Sequence, residues 1–493
     1  MLDIFLIPLR SLRVRYIPLL LIYFAYGSSV FVGIAGNFWV KKELSLSAED
    51  LLALSVWLTV PWTIKMIFGQ MVDSVTLFGS NRKVYVLIGA ALMTFSTVLL
   101  IGIVGEYEWI AGYPKESVYV FASVVGVVGF VLQDVVADTM TTEVVDKRQS
   151  DEEIKKELAT IQVLSRLSLG LAVFIMGWLG GELAAIYDYE TVYTLSLFIP
   201  ILSVIGVVFV KLNPVKPSKL NKQVLFGGLL FALFVILVGY NDIPYSQEIV
   251  FVVSLGVVLY LLSTVIGDLD ADTIKHIKMA MIVIFVYRSV PSVGPALQWW
   301  QIDVLGFDEA FFAKLSMIGG GIALMGLWFS AKFIVNRSIA KVLIFLTVIS
   351  TILSLPVVAM YYDLHTMLGL DARTVALVDT ALASPFDYIA GVLMLTLVAI
   401  YAPEGKKGTW FALMASLMNI ALSASGLLSK YLNKIFVLTR EMKQDGIIVT
   451  SANYDELGAL LWVVIGVGFV VPIVTIWFFN PDSKIIKNSD INH

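Results

Sequence analysis

The sequence predicts an all-α polytopic membrane protein, two six-helix bundles with two extra helices between them, about 14 membrane-crossing helices in all. Three observations predict it. Of the 493 residues, 58% are hydrophobic and only 15% charged, with a mean hydropathy of +0.87; a soluble domain is about 45–50% apolar and about 25% charged. The excess recurs along the whole chain in stretches of about 20 residues, the length that crosses a hydrocarbon core. Lysine and arginine crowd into alternate loops, as they do on the cytoplasmic side of membrane proteins.

In chain order, six apolar stretches lie at about 16–40, 49–72, 83–104, 116–142, 157–181 and 191–211, each near the spanning length. Two follow at about 224–240 and 247–267, the first of them short. Six more lie at about 276–300, 307–331, 338–361, 373–401, 407–430 and 455–480. With this count, 22 of the 34 Lys and Arg fall on the cytoplasmic side and 8 opposite, leaving Lys65, Arg166, Arg288 and Lys314 within helices. Dropping one helix inverts every later loop and spoils the bias. The outer loop 431–454 fits worst, since four of the 8 outer charges sit on or beside it. The division expected is a bundle over 1–215, an inserted pair over 216–272 and a second bundle over 273–493, with Pro214 and Pro217 in the basic link between the first two parts. The near absence of ionisable residues from 224–267 predicts a peripheral pair.

Several chemistries are excluded. There is no cysteine, so no disulfide, thiolate metal site or cysteine nucleophile. The histidines number 3, which argues against a histidine metal centre. Gly405-Lys406-Lys407-Gly408 lacks the spaced glycines and terminal Ser or Thr of a phosphate-binding loop. No nucleophile–base pair stands out, so an enzyme is not expected, and neither cofactor nor metal is called for. The N-terminus has no cationic region ahead of its apolar run and reads as no cleavable signal; Arg10, Arg13 and Arg15 make it either a basic surface segment or a tail with topology charges.

Lys65, Asp134, Arg166, Arg288 and Asp387 sit where hydrocarbon should be. A charge at that depth costs roughly 2.5–3.5 kcal/mol on insertion scales, so it faces a bundle interior or a wet cavity and marks a solute path. Counting about 1.5 Å per residue from the flanking charges puts Lys65, Arg166 and Arg288 near mid-membrane. Asp134 and Asp138 are four apart and share a helical face. These residues suit a transporter whose solute binds between two bundles; internal pairing, Lys65 or Arg166 with Asp134, is the plainer alternative. Because burial raises and a nearby cation lowers a carboxylate's proton affinity, Asp134 is the first candidate for proton coupling and Asp387 the second. Asp138, Glu143 and Asp146 read as the cytoplasmic end and its gate. The segment Asp379 to Asp387, with Pro385, reads as a helix break or a close crossing, and Gly319-Gly320-Gly321 as a flexible point or a tight one. Trp299-Trp300 reads as an interfacial anchor.

Gly69-Gln-Met-Val-Asp73 followed by Gly79-Ser-Asn-Arg82-Lys83 resembles the signature loop of the major facilitator superfamily. Gly69 would let two helices approach and Asp73 would pair with a cytoplasmic base, locking one conformation. The wider run Pro61-Trp62-Thr63-Ile64-Lys65, Asp73-Ser74, Phe78-Gly79 and Arg82-Lys83-Val84-Tyr85 is similar to the folate–biopterin transporter family, a branch of that superfamily. Gln133-Asp134-Val-Val-Ala-Asp138 with Glu143, Arg288-Ser-Val-Pro291-Ser292 before Leu305-Gly306-Phe307, and Pro403-Glu404-Gly405 carry the same resemblance. It is strongest over about 57–148. The extra pair at 224–267 departs from the family's more common twelve helices, and Lys83-Val84 replaces a more basic, proline-containing run.

The resemblance implies a major-facilitator-type fold and a proton-coupled carrier of folates or pterins. Folate has a flat head and a dicarboxylate tail. Lys65, Arg166 and Arg288 would meet the tail, arginine best through its paired donors. Asp134 or Asp387 would accept from the pterin edge, and Trp62 and Tyr287 would stack on the ring. Gly69, Asp73, Arg82, Lys83, Asp138 and Glu143 would form the gate. The partners expected are the anionic solute, protons and lipid, with no nucleic acid and a monomeric state, in a bacterial inner membrane with both termini cytoplasmic. A carrier of another organic anion (a nucleoside, sugar acid or peptide derivative) and a non-transporting receptor of the same fold are the alternatives.

Overall fold

A computed structural model describes residues 12–78, 82–145, 150–209, 222–241, 243–334, 338–403, 407–444 and 447–479. Gly79, Asp146, Glu404 and Gly405, with the basic link after residue 209, lie outside them, as do the side chains of Glu143 and Asp387. The chain is helical almost throughout, and twelve helices among the described residues are long and apolar enough to cross a membrane.

The first crossing is α1 (Ile17–Gly27), a 3-10 stretch (Ser28–Val32) and α2 (Gly33–Glu43). The second is α3 (Ala48–Thr63) and α4 (Lys65–Ser74). Proline cannot donate a backbone hydrogen bond within a helix. Downstream of Pro61 the chain leaves helical geometry at Ile64 (φ −99°, ψ 14°) and restarts at Lys65. Then follow α5 (Lys83–Val104), α6 (Lys115–Glu143), α7 (Asp151–Ile186), α8 (Tyr189–Leu195) and α9 (Phe198–Phe209). The extra pair is α10 (Lys222–Tyr240) and α11 (Ser246–Ile266). The remainder is α12 (Ala271–Arg288), α13 (Pro295–Asp303), α14 (Glu309–Ile334), α15 (Ile339–Leu353), α16 (Leu355–Tyr361), α17 (Leu364–Met367), α18 (Ala372–Ile400), α19 (Lys407–Ile435), a hairpin of β1 (Met442–Gln444) and β2 (Ile447–Thr450), and α20 (Leu457–Phe478).

The sequence expectation of about 14 spans exceeds the twelve, and the difference has two sources. α10 is apolar over its 19 residues (Lys222–Tyr240), but only Phe226–Gly239 is described with its side chains, which is too short to count. The stretch expected as one helix over 276–300 is instead α12 and α13, separated by six non-helical residues from Ser289 to Gly294.

Two compact units emerge: 1–44, 64–234 and 308–320 form one, and 45–63, 235–307 and 321–493 the other. In the first, α5 and α6 pack closely. A Cβ on Gly129 would lie 2.7 Å from the Gly89 carbonyl oxygen, so only glycine fits this crossing. Gly69 has no such role, since a Cβ there would meet nothing nearer than Val135 Cγ1 at 4.0 Å. Gly320 is a tight point against α7, where its Cβ would meet Phe174 Cα at 3.2 Å. Two of the three N-terminal arginines are tied down: Arg13 (3.5 Å) and Arg15 reach the Glu157 carboxylate, and Tyr16 donates to it as well, while Arg10 lies outside the described residues.

In the second unit α19 is the hub, packing on α3, α11 and α12. Lys430 Nζ lies 2.9 Å from both Glu248 and Gln247, and the Tyr431 hydroxyl donates to Glu248 (2.7 Å), so α11 is clamped to α19 by a part-buried ion pair. α18 runs through Pro385 without a break, and its ring sits against Gly326, where a Cβ would approach within 2.8 Å. Trp299 and Trp300 are buried, not interfacial anchors: Arg440 lies over the Trp299 ring at 4.5 Å, and the Trp300 ring meets that of Tyr361 at a tilt of 52°. Burial pushes the Arg440 guanidinium down to a pKa of about 10, which leaves it charged at neutral pH. Of the charges on or beside loop 431–454, Lys430 is paired with Glu248, Lys434 lies 3.8 Å from Glu49, and Arg440 is buried over Trp299.

The six residues between α12 and α13 are held by side chains of α19. The Ser292 N–H donates to Ser429 Oγ (2.8 Å), Ser425 Oγ donates to the Val290 carbonyl (2.6 Å), and Asn433 Nδ2 donates to the Val293 carbonyl (3.0 Å). Non-helical backbone at membrane depth survives only where such partners satisfy it. Asn433→Leu, which fits the site but cannot donate, should destabilise the protein by about 1–3 kcal/mol by stranding a buried carbonyl. Thermal unfolding in detergent checks this.

Candidate functional site

The charges read from the sequence gather first around the start of α4. Lys65 is its first residue, at the positive end of the helix dipole, where a cation is disfavoured. Two carboxylates of α6 answer it: Lys65 Nζ lies 2.5 Å from Asp134 Oδ2 and 2.5 Å from Asp138 Oδ2. The Tyr23 hydroxyl of α1 donates to Asp138 Oδ1 at 2.6 Å. Asp138, expected at the gate, thus shares Lys65 with Asp134. The Asp134 side chain is buried, whereas that of Asp138 is 48% exposed, so the network is closed on one side and open on the other. Beside it, Gln133 Nε2 donates to the Val86 carbonyl and to Ser203 Oγ, both at 2.9 Å, which fixes the α6 face.

Arg166 of α7 is exposed and has no hydrogen-bond or ion-pair partner among the described residues, yet its charge acts on Asp134, Tyr23 and Tyr26. Lys65, Asp134 and Asp138 together carry one negative charge, and Arg166 brings the group to neutrality.

The second unit supplies a different cation. Arg288 ends α12, at the negative end of the helix dipole, where it needs no carboxylate. Its Nε donates to the Met418 carbonyl (3.3 Å), and it has no ion-pair partner among the described residues. Tyr287 beside it lines a cavity of about 300 Å³ with the hydroxyl residues Thr347, Ser350, Thr351 and Ser354. Trp62 lies on α3 and its carbonyl accepts from Asn419 Nδ2 (3.5 Å). Asp387 is placed on α18, while its side chain lies outside the described residues.

The expected gate is described in part. Arg82 is buried, donating to the Val72 carbonyl (2.6 Å) and to Asp73 Oδ1 (3.2 Å); Lys83 starts α5, and Glu143 ends α6. Asp73 therefore meets its base within the motif itself. Sequence reasoning passed over Asp379 of α18, whose Oδ1 is buried without a partner among the described residues. The signal was present, a carboxylate within an apolar span, but the choice fell on Asp387, two turns further on. It also passed over Tyr23, which carries no charge to mark it.

The BT1 family matches residues 27–493. The chain belongs to the BT1 family. Among BT1-family chain's curated relatives, the "Folate-biopterin transporter" of Synechocystis is 24% identical over 467 residues, covering 93% of this chain and 80% of that one. "Folate transporter 1" of Plasmodium falciparum is 20% identical over 437 residues, covering 89% and 74%. Among solved structures, a POT family transporter in complex with 5-aminolevulinic acid superposes with a TM-score of 0.68 at 12% identity, covering 96% of this chain and 97% of that one. A D-xylose–proton symporter gives 0.58 at 13% identity, with 96% and 97% covered. This BT1 family member is therefore an integral, multi-pass membrane protein with the major-facilitator-type fold that its signature loop resembles.

Proposed function

We propose that the protein is a secondary active transporter that moves folate or a related pterin inward with protons, by alternating access of two bundles. The observation that carries this reading is the Lys65–Asp134–Asp138 cluster with its Tyr23 donor, a titratable network beside a helix break at membrane depth. The names of the curated relatives support the cargo.

In this reading Asp134 carries the proton. Protonation leaves Lys65 to Asp138 alone and turns the cluster from neutral to cationic, so proton and anion each favour the other's binding, as reciprocal linkage requires. In the second unit Arg288 grips a carboxylate of the tail; in the first, Lys65 and Arg166 supply positive charge for an anion. Trp62 and Tyr287 stack on the pterin. Asp379 joins Asp387 as a carboxylate of α18 for a solute N–H or a second proton. The contact of Arg82 with Asp73 acts as a latch, with Lys83 and Glu143 as the other charges of the gate. The bundles follow the division 1–215, 216–272 and 273–493. The protein works as a monomer in a bacterial inner membrane, both termini in the cytoplasm, and is not an enzyme.

The test is uptake of labelled folic acid by proteoliposomes under an imposed pH gradient, acid outside. Saturable accumulation that collapses with an uncoupler, and that biopterin but not sugars or nucleosides inhibits, is expected. Accumulation of another organic anion with no response to folates or pterins would overturn the cargo.

A further inference from the structure

A cleft of about 390 Å³ opens between α11 and α12 in the second unit. Leu259 and Ser263 of α11 form one wall, Met281 and Phe285 of α12 the other, and Leu417 of α19 its floor. Both flanking helices pack on α19, and the cleft is what they leave between them. Its lining is apolar apart from Ser263 and one ionisable group, Lys278.

Lys278 is exposed and has no hydrogen-bond or ion-pair partner among the described residues. Nearby acids are engaged elsewhere: Asp270 Oδ1 accepts from the Thr273 N–H (2.9 Å), and Asp272 Oδ2 lies 3.6 Å from the His276 ring. Lys278 stands seven residues into α12, about 10 Å along its axis, and a lysine stem of that reach carries its ammonium out to headgroup level. Lys275, one turn nearer the helix start, is also exposed and adds to the positive charge.

We propose that this cleft seats one acyl chain of an anionic phospholipid, whose phosphate is held by Lys278. The walls reach into hydrocarbon, where lipid tails are what an apolar cleft meets. The outer face of α11 shares this setting, with Val252, Val257 and Tyr260 all exposed. The ammonium at its mouth selects charge, as basic pockets between membrane helices do for anionic headgroups. The proposal concerns lipid alone and does not depend on the solute carried.

The full chain, purified in mild detergent, would be titrated with phosphatidylglycerol and with phosphatidylcholine of the same chains, and bound lipid counted by native mass spectrometry. Phosphatidylglycerol should be retained several-fold over phosphatidylcholine. Lys278→Gln, a surface change, should bring the two to the same level. Leu259→Trp, which fills the cleft, should lower both. Met281→Trp does the same from the opposite wall if the first variant unfolds, which a melting curve in phosphatidylcholine reports. Equal retention of the two lipids by the unaltered chain, or full phosphatidylglycerol binding by Lys278→Gln, overturns the proposal. Displacement of phosphatidylglycerol by glycerol phosphate also overturns it, because the site would then be one for a free anion.

Discussion

Asp134→Asn abolishes uphill accumulation of the solute while leaving binding and solute exchange measurable. Asparagine keeps the shape of the side chain and can still accept from Lys65, but it cannot exchange a proton. Asp138 remains 2.5 Å from the ammonium, so Lys65 is not left as an uncompensated charge and the fold survives. Removing both carboxylates is a different experiment. It strands Lys65 at the start of α4, and breaking a buried pair in that way costs about 3–5 kcal/mol. Counterflow and pH-driven uptake in proteoliposomes separate the two outcomes. Proton-driven accumulation by Asp134→Asn at the unaltered level would take Asp134 out of the mechanism.

The second large effect is expected at Arg288. Its Nε is occupied by the Met418 carbonyl, while its terminal nitrogens have no partner among the described residues and are free to meet a carboxylate. A hydrogen bond to a charged group contributes about 1.5–3 kcal/mol. Arg288→Ala should therefore weaken binding of a folate roughly 10- to 150-fold. Arg288→Lys should recover part of this, because the charge returns without the planar pair of donors. Ligand-dependent thermal stabilisation measures both, and the melting temperature without ligand reports on folding. Affinity unchanged in Arg288→Ala would move the anion site elsewhere.

The membrane crossings were legible because hydrocarbon imposes a length and a polarity that composition alone reveals. The pairing of Lys65 with Asp134 was legible for the same reason, since a charge has few places to go inside a membrane. Asp138 was read as a gate residue because counting from loop charges gave its depth but not its partner. The interruption after Arg288 was hidden. Pro291 and Gly294 hint at it, but the residues that make it tolerable, Ser425, Ser429 and Asn433, lie more than a hundred positions away and look like ordinary small and polar helix residues. The burial of Arg440 over the Trp299 ring was hidden likewise, and so this arginine was counted among the outer charges. Asp387 and Asp379 show the limit of charge as a guide. Both met the criterion, and nothing in the sequence ranked one above the other.

The three α19 side chains that secure residues 290–293 recur every four positions, so they form a ladder whose rungs are about 6 Å apart along the helix. A helix sliding lengthwise past a main-chain ladder must give up its bonds together. Here a displacement by one rung would bring Ser425 to where Ser429 stood and Ser429 to where Asn433 stood, but it would put Ala421 opposite the Val290 carbonyl and lose that bond. The fastening therefore has a single register in which every bond is made, and a displaced one leaves a peptide group stranded in oil.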